Sequence, residues 1–201
     1  PDSLKNNRLN EVVVKATRAT NKTGMAFTNL YKQEIQKQNL GQDIPFLLNQ
    51  TPSVVVNSDA GAGIGYTGIR IRGTDATRIN VTLNGVPYND SESQGVFWVN
   101  LPDFSSSVQS MQIQRGVGTS TNGAGAFGAT INVNTLGFER EPYGETNVSV
   151  GSFNTLKTNV LASTGLINNH FVVDARLSRI TSDGFIDRSA SNLKSFYVSG
   201  G

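Results

Sequence analysis

The chain has 201 residues, 37% of them apolar and 16% charged, with 21 Gly and a formal net charge of +2. That excess is too small for an electrostatic nucleic-acid footprint, and no run of Lys or Arg is interleaved with aromatics. Zero cysteines remove disulfide scaffolds, thiolate metal sites and cysteine nucleophiles, and a single histidine, His170, removes a His-rich metal centre.

No stretch reaches the roughly 18 consecutive apolar residues of a membrane helix, which leaves strand-built spans open. The chain starts at Pro1 without a signal peptide, as a mature or trimmed form would. Residues 1–10 are polar. Glu11-Val12-Val13-Val14-Lys15-Ala16-Thr17 follows as a short β-branched run, read either as a first strand or as a strand kept free for a partner. Leu30 to Asn39 has the spacing of a short helix. Asp43 is placed to cap a second one through Asn49, with Pro45 in its first turn and Phe46 and Leu47 or Leu48 turned inward. Thr51-Pro52 ends it, and Val54 to Val56 reads as a buried strand.

A glycine-rich loop, 57–68, leads into Ile69-Arg70-Ile71-Arg72-Gly73, where alternation puts both arginines on one strand face. Ile79 to Leu83 alternates again and runs into Asn84-Gly85, the strongest short-range hairpin signal. Tyr88 to Val99 is a long loop carrying Asp90, Glu92, Phe97 and Trp98. Pro102 to Val108 has the makings of one helical turn, and Met111 to Gln114 of a strand. Gly116 to Gly128 is rich in glycine, and Thr130 to Asn134 closes a compact α+β unit of short mixed strands.

Beyond Leu136 the texture becomes that of an antiparallel meander. Val148 and Val150 share one face, with Asn147 and Ser149 on the other. Phe171, Val173, Ala175 and Leu177 oppose Asp174, Arg176 and Ser178, and Lys194, Phe196 and Val198 begin a further strand. Gly165 to Asn169 is a tight connection. Three or four such strands leave two edges and do not close, so the segment is expected to belong to something longer.

Several motifs fail their own requirements. Gly63 to Gly68 and Gly123 to Gly128 match the dinucleotide fingerprint G-x-G-x-x-G, but both run into strand-like sequence where a phosphate site needs a helix. A Ser–His–Asp triad would have to use His170, which has no G-x-S-x-G elbow beside it. Asp90 with Glu92 is a pair that more often solvates a loop than performs acid–base chemistry. Phe97-Trp98 is either a packing anchor or a ligand platform. Arg72 and Arg115 each end a strand before a glycine, where a guanidinium suits bidentate pairing with a carboxylate or simple solvation.

Taken in order, these segments resemble the plug domain of TonB-dependent outer-membrane receptors. Glu11 to Thr17 looks like the TonB box. Leu47 to Val54 is similar to the family's L…P-G-V segment, with Ser53 where Gly is usual. Ile69 to Gly73 matches its I-R-G strand, and Val81 to Pro87 its L-D-G-V-P hairpin, with Asn84 for Asp. Ile113 to Gly116 and Gly125 to Val133 resemble its closing R-G…Y-G…I-N segment. Val150 to Thr155 and Ser182 to Phe185 look like the first barrel strands, and the loop Glu92 to Asn100 looks most like receptors of Bacteroidetes-type bacteria.

The resemblance implies a fold and a division of labour. It implies a mobile segment with the TonB box over residues 1–19, a plug over 20–137, and the first three to four strands of an incomplete outer-membrane β-barrel over 138–201. It implies no catalysis and no cofactor, but import of an extracellular ligand: a ferric siderophore, haem, cobalamin or a glycan, with a lean towards a metal chelate or cobalamin. Ligand contacts are expected from the outward loops, at Asn57, Ser58, Asp59 and Tyr66 and at Tyr88, Asn89, Asp90, Phe97 and Trp98. Glu11, Val12, Val13, Val14, Lys15, Ala16 and Thr17 would pair as an added strand with the periplasmic TonB protein, itself driven by the inner-membrane proton gradient. Arg72 and Arg115 would latch the plug to glutamates of the protein's own barrel in the outer membrane of a Gram-negative bacterium. Two other readings stay open: a receptor that mainly signals occupancy, and a β-rich adhesin, which requires residues 138–201 to close into a fold of their own.

Overall fold

The computed structural model describes residues 18–118, 122 and 125–201. The fold is α+β. β1 (Ala26–Tyr31) leads directly into helix α1 (Lys32–Gln38), then α2 (Ile44–Leu47), β2 (Val54–Ser58) and β3 (Thr67–Ile71). β4 (Ile79–Leu83), β5 (Val86–Pro87), β6 (Val108–Arg115) and β7 (Ala129–Thr135) complete the first part. β8 (Tyr143–Gly151), β9 (Thr155–Ser163), β10 (Val173–Ser182) and β11 (Ser191–Gly200) follow.

Five strands make one mixed sheet in the order β1-β6-β7-β4-β5, in which only the β4–β7 pair is parallel. β7 lies at its centre and is buried on both faces from Ala129 to Val133. One face is apolar. Met111, Ile113, Ile131, Val133, Ile79 and Val81 pack there against Ile35 of α1, Leu47, Leu48 and the β2–β3 hairpin. The opposite face is buried but amide-rich, and several of its polar groups are paired laterally. Gln114 Nε2 donates to Gln112 Oε1 at 2.9 Å, and Thr82 Oγ1 donates to Asn132 Oδ1 at 2.7 Å.

Local chemistry accounts for most element ends. Asn84 and Gly85 sit at φ 50° and 84°, the left-handed pair that a two-residue hairpin between β4 and β5 demands. Tyr31 N–H donates to Glu34 Oε2 at 3.0 Å and so closes the start of α1. The expected helix from Leu30 begins two residues late, because Leu30 and Tyr31 are spent on pairing β1 with Met111 and Ser110 of β6. Val54 to Val56 is not a buried strand throughout. β2 and β3 form a separate two-stranded hairpin, and Val55 points outward, 64% exposed. Arg70 and Arg72 do not share a face, since Arg72 leaves the strand at φ 53°.

β8 to β11 form a four-stranded antiparallel meander with β8 and β11 at its edges. Among the described residues this sheet is open, whereas an adhesin reading requires a closed fold. The strand expected from His170 starts at Val173, because Ile167 and Phe171 bridge across the tight connection and leave His170 in its turn.

Candidate ligand loops and the buried ionic interface

The polarity of the meander is the reverse of a water-soluble sheet. Along β10, Asp174, Arg176, Ser178 and Ile180 are buried, while Val173, Ala175, Leu177 and Arg179 are exposed. Val148, Val150, Val160, Phe196 and Val198 continue the exposed apolar face on the other strands. The polar face is pressed against the mixed-sheet unit.

At that junction stands Asp103, which heads the 3₁₀ turn Phe104–Ser107 in a left-handed conformation at φ 52°. Its Oδ1 meets Lys157 Nζ at 2.7 Å and its Oδ2 meets Arg176 Nη1 at 3.0 Å; all three side chains are at most 2% exposed. Ser178 Oγ and Asn159 Nδ2 donate to Oδ2 at 2.6 and 2.8 Å, and Ser106 Oγ donates to Oδ1 at 2.6 Å. Burial alone pushes the Asp103 carboxyl up. The Lys157 ammonium and the hydroxyls of Ser106 and Ser178 outweigh it and hold the group below the usual aspartate value. Arg176 Nε also donates to Ser107 Oγ at 2.8 Å, and Lys157 Nζ donates to Asn39 O at 3.1 Å. One carboxylate thus clamps two strands of the meander to the mixed-sheet unit and to the end of α1.

The first candidate ligand loop joins β2 to β3. Asn57 and Ser58 end β2 and Tyr66 immediately precedes β3, so Asn57, Ser58, Asp59 and Tyr66 lie in one hairpin. Ser58 Oγ accepts from Gly63 N–H at 3.0 Å, and Asp59 N–H donates to Tyr66 O at 3.0 Å. Tyr66 is exposed. The loop is held from below by Asp43, whose N–H donates to Gly63 O at 2.9 Å and whose Oδ2 accepts from Thr67 Oγ1 at 2.8 Å. Burial pushes this carboxyl up to about 7, against the weaker opposing pull of Thr67 and Gly65. Asp43 does not cap α2 with its side chain as the sequence implies; the carboxylate turns to the loop instead. On its outer side the loop accepts Phe185 N–H at Ala60 O, 2.9 Å, from the β10–β11 connection.

The second loop carries Tyr88, Asn89, Asp90, Phe97 and Trp98, and the structure divides these five. Trp98 is 3% exposed within the hydrophobic core, so its indole packs and is not a ligand platform. Phe97 is the exposed partner of that pair. Asn89 is spent on the backbone: Oδ1 accepts from Val81 N–H at 2.7 Å, and Nδ2 donates to Ile79 O and Gln94 O. Tyr88 N–H likewise closes onto Val81 O at 2.8 Å. Asp90 Oδ1 accepts from Ser93 N–H and Glu92 N–H at 2.7 and 3.1 Å. The backbone and side chain of Ser93 first, then Glu92, hold that carboxyl below its usual value.

Asn89 and Asp90 line a cavity of about 540 Å³ with Arg78, Asn80, Gln94 and Phe127. None of Asn57, Ser58, Asp59 or Tyr66 lines it. Asn80 Nδ2 is buried there without a hydrogen-bond partner, a donor left for a bound molecule or a water. The Arg78 guanidinium stands 5.8 Å over the Phe127 ring.

Arg72 reaches the backbone at Gly116, the residue after Arg115. Arg115 Nη1 donates to Pro52 O at 3.2 Å, and a methyl on Gly116 would lie 2.7 Å from Arg72 Nη1. Among the described residues neither arginine is in an ion pair. Glu11 to Thr17 lie outside the described residues. No group of three or more His, Cys, Asp or Glu able to hold a metal occurs among the described residues.

Comparison with known proteins places this geometry. The family profile described as TonB-dependent Receptor Plug Domain matches residues 19–130. A vitamin B12 transporter, BtuB, of Vibrio vulnificus is 26% identical over 154 residues, which are 77% of this chain and 24% of that protein. FpvA of P. aeruginosa, solved with a heterologous pyoverdine and iron, superposes with a TM-score of 0.74 at 19% identity, over 89% of this chain and 23% of that one. The ferric yersiniabactin uptake receptor FyuA of Yersinia pestis gives 0.67 at 16% identity, over 88% and 28%. The chain therefore spans about a quarter of the length of the relatives it matches.

Proposed function

Because this chain belongs to the TonB-dependent receptor plug family, we propose that it gates active import of a solute across the outer membrane of a Gram-negative bacterium. The observation that carries the reading is the inverted polarity of β8–β11. A sheet that buries Lys157, Arg176 and Asp174 while exposing Val150, Leu177 and Phe196 suits a wall with lipid outside and a polar plug inside. Among the described residues neither of its edges is paired with a further strand.

In this reading residues 20–137 are the plug and residues 138–201 the start of the surrounding barrel. The solute meets the plug at the hairpin of Asn57, Ser58, Asp59 and Tyr66 and at Phe97. The cavity beside Asp90 is the deeper recess. Glu11 to Thr17 pair with the periplasmic domain of TonB, and the proton-driven inner-membrane complex pulls through that strand. Arg72 and Arg115 form a cationic pair for carboxylates of the remaining wall. The Asp103 cluster is the latch between the plug and the first strands, and it must yield if the plug is displaced past β9 and β10. No step is catalytic. The solute is a ferric siderophore, haem, cobalamin or a glycan. The similar proteins described as a vitamin B12 transporter and a ferric yersiniabactin uptake receptor support the first and third of these classes.

Uptake decides it. Cells expressing the full-length receptor are offered a labelled panel of a ferric siderophore, haem, cobalamin and an oligosaccharide, with TonB present or deleted. Accumulation of one member only when TonB is present is the expected outcome. Accumulation of none, or equal accumulation without TonB, overturns the assignment.

A further inference from the structure

Two charges interrupt the otherwise uncharged outer face of the meander, and both are cations. Arg179 of β10 and Lys194 of β11 are directly paired in the strand register and both point outward. The remaining outward positions of β8 to β11 hold Gly, Ala, Val, Leu, Phe, Thr and Asn, with no Asp or Glu among them. Side chains directly opposite on one sheet face stand about 5 Å apart at Cβ, and like charges there destabilise the pair. Among the described residues Arg179 Nε has one long contact, to Asn192 Oδ1 at 3.4 Å, to spread its charge.

A lipid setting sharpens the problem. A Lys or Arg on the lipid face of a barrel is strongly destabilising at the bilayer midplane and close to neutral at the interface. Two adjacent cations are therefore tolerable only where the hydrocarbon ends and an anion is at hand. An apolar groove of about 610 Å³ is lined by Val148, Val160, Leu177 and Phe196 and by Arg179 and Lys194 themselves. Val160 is 52% and Phe196 78% exposed, so the groove is open along its length.

We propose that Arg179 and Lys194 bind the phosphate of a membrane lipid whose acyl chain lies in the Val148–Val160–Leu177–Phe196 groove. The phosphate places negative charge between the two cations and turns their repulsion into paired, charge-assisted contacts. The chain covers the groove and fixes the lipid against this segment of the wall. The commitment is to a phosphorylated lipid, since free phosphate has no use for the groove and a neutral lipid none for the cations. This inference rests on the outer-membrane reading above.

The test uses the full-length receptor in detergent and native mass spectrometry. The probes are a phosphatidic acid, the diacylglycerol with the same chains, and inorganic phosphate. Phosphatidic acid should be retained at concentrations at least 10-fold below either of the others, and R179Q/K194Q should abolish that preference. Retention of inorganic phosphate at the same concentration would reduce the pair to a plain anion site and overturn the proposal. Equal retention of diacylglycerol would do so as well, leaving a greasy surface only. An unchanged preference in R179Q/K194Q would place the lipid elsewhere. These results are separable from failure of the transport reading, in which the receptor would stay soluble and monomeric without detergent.

Discussion

Asp103→Asn changes one atom at the centre of the latch and leaves its shape intact. In the native protein the carboxylate faces Lys157 at 2.7 Å and Arg176 at 3.0 Å, with each side chain at most 2% exposed. Water cannot compensate for its loss at that depth. Removing one partner of a buried pair costs about 3–5 kcal/mol, because the charge left behind is still desolvated. Here two cations are stranded, while the amide oxygen of Asn still accepts one hydrogen bond, so about 3 kcal/mol is the expected loss. Hydrogen exchange by mass spectrometry reads it, in full-length receptor, at the 3₁₀ turn 104–107 and at β9 and β10. A 3 kcal/mol drop in opening energy speeds exchange on the order of 100-fold. The acid limb has a defined sign. A carboxyl held below its ordinary value of 3.8 contributes stability present above that value and lost as pH falls through the lower, folded one. The latch therefore holds throughout the neutral range and opens only in strong acid. Exchange in D103N equal to wild type would show that these contacts do not hold the two parts together.

Two further outcomes follow from other sites. Asp43 behaves oppositely to Asp103: its folded value is raised from 3.8 to about 7, so the stability tied to its protonated form is complete below 3.8 and lost as pH rises through about 7. Exchange in loop 57–67, corrected for the intrinsic rate, should quicken from pH 6 to pH 8 in the wild type and stay flat in D43N; a flat wild type would contradict this. On the outer face, L177R should destabilise the folded state in lipid vesicles more than N192R, which lies two rows nearer the strand end, because the cost of a lipid-facing cation falls from the midplane to about 0–1 kcal/mol at the interface. Equal tolerance of both would remove the lipid-facing assignment.

Much of the fold was legible because local signals agreed with tertiary demands. Asn84-Gly85 specified its hairpin, Pro45 entered α2 in the first turn, and the period-two pattern of Thr130 to Asn134 marked the central strand. The misplacements have a common cause. Leu30 and Tyr31 fit a helix on spacing, but an edge strand paired to β6 claimed their backbone, which spacing does not reveal. Arg72 continues an alternating pattern, yet the turn after β3 takes it to φ 53°.

Of the candidate site, the hairpin residues Asn57 to Tyr66 lie together as their proximity in sequence implies, while Trp98 is drawn into the core. An aromatic next to acidic residues signals nothing about which way its ring turns. The Asp103 cluster escaped entirely, because its members are spread from Asn39 to Ser178 and no local spacing connects them. A trace of it existed in the alternation of Lys157 with Asn159 and of Asp174 with Arg176 and Ser178. A polar stripe opposite a continuous apolar one means that one of the two must be buried. In a soluble sheet that is the apolar stripe; in this one the polar stripe is inside, and it requires a countercharge.

The most direct test concerns Glu11 to Thr17. Full-length receptor, with and without that heptad, is captured on the immobilised periplasmic domain of TonB. Capture of the intact receptor and loss of capture on deletion is the outcome this account predicts. Undiminished capture of the deleted form would contradict it, since the plug would then be pulled, if at all, through some other strand.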